Sequence, residues 1–494
     1  MRELGFDNNA YIKIQTEQIL KRISEFDNKL YLEFGGKLFD DYHASRVLPG
    51  FEIDSKIRIL QGLRDRCEII IVINAGDIEK TKTRSDIGIT YDMDVLRLID
   101  NLRRLELPVT AVVIAQYCGQ PSADIFRNKL EQRGERTVIH RPIQGYPTDV
   151  DLVVSDSGYG ANPYIETTMP LVVVTAPGPG SGKMATCLSQ LYHEHCCNVR
   201  AGYAKYETFP IWNLPLKHPI NLAYEAATAD LNDVNMIDPF HLEAYGKTAV
   251  NYNRDIEIFP IVKTILNRIM GRDLYKSPTD MGVNMAGFCI SDDKVCREAA
   301  KQEVIRRYFK SSCDCKQGRI DESAVQKNEL IMKELDLRVE DRPVVACALE
   351  RKDTCGHMAS AICLPDGTLL TGKTTPLMSS PCAMILNAVK QLAGIADDML
   401  LLSPLVLEPM QKMKREIYGE KASALTLDEV VIALSISAAT NPMVDYAYKK
   451  LTELRGCEAH STFIVSANDE RVLRGLGINH TCEPVYRNKN LYYT

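Results

Sequence analysis

Gly178, Gly180, Ser181, Gly182 and Lys183 follow a run of β-branched residues in LVVVTAPGPGSGKMATC. Such a strand delivers the chain to a loop whose glycines expose backbone N–H groups, and the helix that follows adds its positive end. Lys183 would then bring a mobile positive charge, neutralising a bound phosphate and stabilising a transition state as the catalytic cation. The spacing departs from the phosphate-loop pattern G-x-x-x-x-G-K-[ST], because Pro177 occupies the first glycine position and Met184 the hydroxyl position. Ser181 and Thr186 are both candidates for the missing hydroxyl. The competing reading is a tight glycine turn entering a helix.

A second concentration of donors lies in ATADLNDVNMIDPFHLEAYG, where Asp230, Asp233, Asn235, Asp238 and His241 offer oxygen and nitrogen ligands. Mg²⁺ takes one or two carboxylates together with water and phosphate oxygens, so Asp233 and Asp238 are the expected metal ligands, with Asp238 also placed among the catalytic groups. The alternative is that Asp230 or Asp238 caps a helix. Substrate contacts are expected from Asp156, Tyr159 and Asn162 in SDSGYGANPYIET, and from Lys205, with Glu207 beside it, in NVRAGYAKYETF. Asp280 and Asn284 in SPTDMGVNMAGF and Lys373 in LLTGKTTPLMSS complete the set. Around Lys373, the hydroxyls of Thr374, Thr375, Ser379 and Ser380 meet a helix N-terminus that could hold an anion, and the competing reading is helix capping by Ser379 or Ser380. Cys313, Cys315, Cys355 and His357 lack the C-x₂-C spacing of a structural zinc site, and no zinc is expected.

These residues need elements to hold them. KLYLEF, CEIIIVIN, VTAVVIA, DVDLVVSD, LVVVT and GYAKY read as short strands, and TYDMDVLRLIDNLRRLE is a helical pattern between two of them. Alternation of this kind predicts a parallel sheet covered by helices, with ligands at the carboxyl ends of its strands, where Lys37, Asp77, Asp156 and Lys183 would converge. The fold class is therefore α/β, organised as a Rossmann-like or P-loop-like sheet over residues 1–220, a mainly helical region over 221–340 and a C-terminal α/β domain over 341–494. In the last, PVVACALE and DMLLLS read as β-rich, and Asp366-Gly367 marks a hairpin. The chain of 494 residues has a net charge of -6 with 25% charged residues, which gives no electrostatic footprint for nucleic acid. MRELGFDNNAYIKIQTEQIL has no apolar h-region, so neither a leader nor a membrane span is expected and the location is expected to be cytoplasmic. Fifteen cysteines spread along so long a chain are expected to be reduced.

Taken together, APGPGSGKMATCLSQLYHEH, NLAYEAATADLNDVNMIDPFH, SPTDMGVNMAGF and LPDGTLLTGKTTPLMSSPCAMILNA resemble a bacterial family of conserved multidomain α/β proteins. The resemblance implies the fold and supplies no reaction. The element order of residues 341–494 is similar to the cytidine-deaminase-type fold without its zinc signature, since Ile385 stands for the second cysteine and His357 is followed by Met358 and Ala359. DGTLLTGKTTPLMSS is loosely similar to purine-pathway formyltransferases, and the glycine loop with Lys205 and Glu207 to ATP-using ligases of the P-loop superfamily. The expected function is binding of a nucleotide or phosphorylated small molecule, with Mg²⁺ and ATP as cofactors in phosphoryl transfer or ligation. The alternatives are group transfer on a phosphorylated nucleotide-like substrate and metabolite binding without turnover. A small-molecule partner is expected, no nucleic acid or membrane, and a homo-oligomer is compatible with the chain.

Overall fold

A computed structural model of the chain describes residues 3–84, 87–419 and 424–487. It divides into two compact units, one formed by residues 4–225 with 233–300 and the other by residue 3, 226–232, 301–419 and 424–487. Residues 221–340, read from the sequence as one helical region, are distributed over both.

The first unit is built on seven parallel strands. In chain order these are β1 (Leu30–Phe34), β2 (Cys67–Asn74), β3 (Val109–Ala115), β4 (Thr137–Ile139), β5 (Leu171–Thr175), β6 (Gly202–Tyr206) and β7 (Gly282–Val283). Across the sheet the order is β7-β6-β1-β5-β2-β3-β4. Runs such as Cys67–Ile73 and Leu171–Thr175 are buried throughout because helices cover both faces of a parallel sheet. Each fully buried Val, Leu or Ile contributes about 1.5–3 kcal/mol, so the sheet is where this unit concentrates its apolar stabilisation.

The chain leaves β1 toward β2, β3 and β4, then returns to insert β5 between β1 and β2 before continuing to β6 and β7 on the other side. The connections depart in opposite directions from β1 and β5, the arrangement at which sheets of this kind bind ligands beyond the carboxyl ends of their strands. The Gly178–Lys183 segment begins three residues beyond the end of β5 and leads into the helix Lys183–Cys196.

Four local expectations differ. DVDLVVSD forms a short helix, Val150–Val153, because the Asp149 carboxylate accepts from the Leu152 amide at 3.0 Å and caps it. PVVACALE opens the helix Pro343–Cys355, with Pro343 in the first turn where its missing N–H costs nothing. DMLLLS forms no strand. The Gly282–Val283 strand, inside a stretch read as a break between helices, pairs with Lys205 and Tyr206 at the sheet edge.

The second unit carries a mixed four-stranded sheet in the order Leu369–Lys373, Ala359–Cys363, Glu458–Ser461, Asn479–Cys482. Its first pair is the antiparallel hairpin expected at Asp366-Gly367 and its last pair is parallel. Buried Arg342 donates to the Ala459 carbonyl at 3.2 Å, the Asn479 carbonyl at 2.7 Å and the Glu458 carboxylate, tying both parallel strands to the start of the Pro343–Cys355 helix. No helix among the described residues is long and apolar enough to cross a membrane.

Candidate functional site

The glycine loop turns where Gly180 (φ +72°) and Gly182 (φ +95°) adopt left-handed conformations. A side chain on Gly182 would also place its Cβ 2.9 Å from the Ala115 Cβ at the end of β3, and one on Gly178 would meet the Tyr91 ring. The loop is braced by Asn74, at the end of β2, whose side-chain amide donates to the Gly180 carbonyl at 3.2 Å, and by the Ser181 hydroxyl, which donates to the Gly178 carbonyl at 2.6 Å. Neither bond uses a loop amide. Among the described residues no acceptor takes the N–H groups of Gly178, Gly180, Ser181, Gly182 or Lys183.

Lys183 occupies the first turn of its helix, which has no acidic residue there. A cation at the positive end of a helix is unfavourable, and Lys183 has no ion-pair partner among the described residues. Part of its surface is open, yet burial of the ammonium lowers its pKa, Glu33 opposes the shift, and the charges of Lys205 and Arg254 add to it. Of the two hydroxyl candidates, Ser181 is engaged within the loop, whereas the Thr186 oxygen, on a residue 1% exposed, has no hydrogen-bond partner.

Charged side chains from β1, β6 and the helix Asn253–Met270 lie around this lysine. Lys205 is 3.0 Å from Glu207 and also pairs with Asp255. Burial disfavours the Lys205 ammonium, but Asp255 and Glu207 outweigh it and hold its pKa above the ordinary value. Burial pushes the Glu207 carboxyl up to about 7, against the pull of Lys205 and with a push from Asp255. Glu33 accepts from the Tyr203 hydroxyl at 2.6 Å. Glu33, Arg254 and Asp255 carry no local motif and were not singled out by the sequence; only their positions at strand and helix ends could have pointed to them.

The acidic pair expected to bind a metal is committed elsewhere. Asp238 is the N-cap of the helix Pro239–Tyr245: one carboxylate oxygen accepts from the Phe240 and His241 amides, each at 3.0 Å, and the other from the Thr279 hydroxyl at 2.6 Å and amide at 3.3 Å. Asp233 is ion-paired with Arg254 at 2.5 Å. Among the described residues no three His, Cys, Asp or Glu side chains converge as a metal site, and Cys313 faces Cys482 at 3.6 Å rather than Cys315.

The expected substrate residues are dispersed. Asp156 follows a helix, not a strand, and accepts from the Tyr192 hydroxyl at 2.7 Å. Tyr159 is buried, and the Asn162 side chain clasps the Arg141 backbone at 2.8 and 3.2 Å. Lys373 is exposed in the second unit. Asp280 closes a capping box with Ser277, and the Asn284 amide donates to the Pro210 carbonyl at 2.9 Å. Asp280 and Asn284 nevertheless line one cavity of about 210 Å³ beside β7, together with Glu207, Trp212, His241, Asn251 and Thr279.

The N-terminal domain of unknown function DUF1846 matches residues 4–336, and the corresponding C-terminal domain matches residues 340–492. A UPF0371 protein of Clostridium botulinum (strain Alaska E43 / Type E3) is 55% identical over 500 residues, covering 99% of this chain and 99% of the relative. A UPF0371 protein of Clostridium botulinum (strain Langeland / NCTC 10281 / Type F) is 56% identical over 501 residues with the same coverage of both chains.

Proposed function

The chain belongs to the DUF1846 family of conserved two-domain proteins, and from that premise we propose that it binds a phosphorylated small molecule on the Gly178–Lys183 loop. The observation that carries this reading is the unanswered positive charge: open loop amides, the positive end of a helix and a lysine without a carboxylate partner meet beyond a central strand. An anion supplies what all three lack.

The ligand of this reading is a nucleotide or a phosphorylated metabolite. Asp233 and Asp238 are committed to Arg254 and to a helix cap, so a magnesium ion arriving with ATP would be held by phosphate oxygens and water. Turnover would take the form of phosphoryl transfer or ligation, with Lys183 stabilising the transferred group.

The test is thermal unfolding of the full chain with inorganic phosphate, nucleotides and sugar phosphates, with and without Mg²⁺, since a ligand specific to the folded state raises its stability. A saturable rise that Lys183→Met abolishes is expected. The reading falls if none of these anions stabilises the protein, or if the variant responds as the parent does. Phosphate release from ATP then separates turnover from binding.

A further inference from the structure

We propose that the cavity beside β7 binds an uncharged polyhydroxylated ring, such as a monosaccharide or a cyclitol. The argument for this site does not depend on a phosphate. Its volume of about 210 Å³ corresponds to the liquid share of about seven waters, enough for one hydroxylated ring.

The lining supplies the matching groups. Glu207 is a nearly buried carboxylate, and Lys205 already offsets its charge, so the acceptor there suits hydroxyl donors better than a second cation. The Gln18 side chain makes no hydrogen bond to any described residue, leaving both a donor and an acceptor for a ligand. His241 spends its Nδ1 on the Ser277 hydroxyl at 3.0 Å, so Nε2 is its remaining polar atom. Trp212 anchors its own N–H on the Asn284 carbonyl at 2.9 Å, which fixes the indole and leaves its ring as an apolar wall. One aromatic ring sharing the lining with carboxylate, carboxamide and imidazole suits a ring with one C–H face and a polar rim. A nucleobase would call for two apolar faces. Asp280 takes the Lys276 and Ser277 amides and the Tyr245 hydroxyl on Oδ2 alone, so Oδ1 remains as a further acceptor for hydroxyls, and Arg22 in the same lining balances its charge.

Trp212 is the chain's single tryptophan and therefore reports on this cavity. Its emission is followed in the full chain against a panel of neutral hexoses and inositols, with amino acids, amines and inorganic phosphate as comparisons. A saturable change with at least one sugar or cyclitol is expected, weakened tenfold or more in Glu207→Gln and in Gln18→Leu, both verified as folded by thermal melts. The proposal is overturned if no sugar or cyclitol alters the emission, if both folded variants bind as tightly as the parent, or if amines or amino acids produce the response instead. Lys183→Met keeps the two sites distinguishable: it is expected to lose the phosphate response and keep the sugar response. A protein that answers to sugar but not to phosphate sinks only the loop reading.

Discussion

Replacing Glu207 with glutamine should change the stability of the first unit in a pH-dependent way. The glutamine has nearly the shape of the protonated acid, so at pH 5, where the buried carboxyl is largely neutral, parent and variant should be close in stability. At pH 8 the parent must hold a carboxylate that burial disfavours. A shift from the ordinary 4.5 to about 7 corresponds to about 3 kcal/mol of cost once the group is fully ionised in the folded state. The direction follows from proton uptake. Between these two values the folded state binds more protons than the unfolded chain, so the Glu207 contribution is fully present below about 4.5 and lost as pH rises through about 7. The variant lacks this loss and should be more stable than the parent by about 3 kcal/mol at pH 8. Urea unfolding followed by Trp212 emission at pH 5, 6.5 and 8 measures the difference in the unit that contains both residues. A pH-independent difference would refute the reasoning. So would a variant less stable at pH 8, which would mean that attraction to Lys205 outweighs desolvation.

Four shorter predictions come from the same geometry. Lys183→Met removes a cation with no partner, and should raise the stability of the ligand-free protein by about 1 kcal/mol while abolishing stabilisation by phosphate, as read by chemical denaturation with and without the anion. Gly182→Ala should cost about 2–4 kcal/mol, from the left-handed backbone and the approach to Ala115, and Ala115→Gly in the same chain should restore only the contact part of the loss. Asp238→Ala should destabilise the first unit by about 1–3 kcal/mol in urea unfolding yet leave the Mg²⁺ dependence of any nucleotide-induced thermal shift unchanged; a lost dependence would return Asp238 to the metal. Arg342→Ala should cost the second unit about 3–5 kcal/mol, detected by limited proteolysis or hydrogen exchange over residues 458–482, because Glu458 and two strand carbonyls lose a buried donor.

The sequence by itself determined the elements whose signals are local. Runs such as Cys67–Ile73 and Leu171–Thr175 specify buried parallel strands, because β-branched residues without polar alternation require apolar cover on both faces. The Asp366-Gly367 turn specified its hairpin, and the glycines before Lys183 marked a loop that only residues free of a Cβ can form. Runs such as DVDLVVSD and PVVACALE misled because a few consecutive apolar residues suit a strand or a helix equally, and an Asp cap or a Pro in the first turn tips the balance. What an individual polar residue does was decided by the tertiary structure. Asp238 and Asp233 look alike in sequence, but the distant Thr279 and the neighbouring amides turn one into a cap, while Arg254 turns the other into half of an ion pair. The cavity draws Gln18, Glu207, Trp212 and Asp280 from segments up to some 260 residues apart, and no spacing rule links them. A carboxylate can hold a metal, cap a helix or move a proton, and the donors brought to it by the rest of the fold select among these roles.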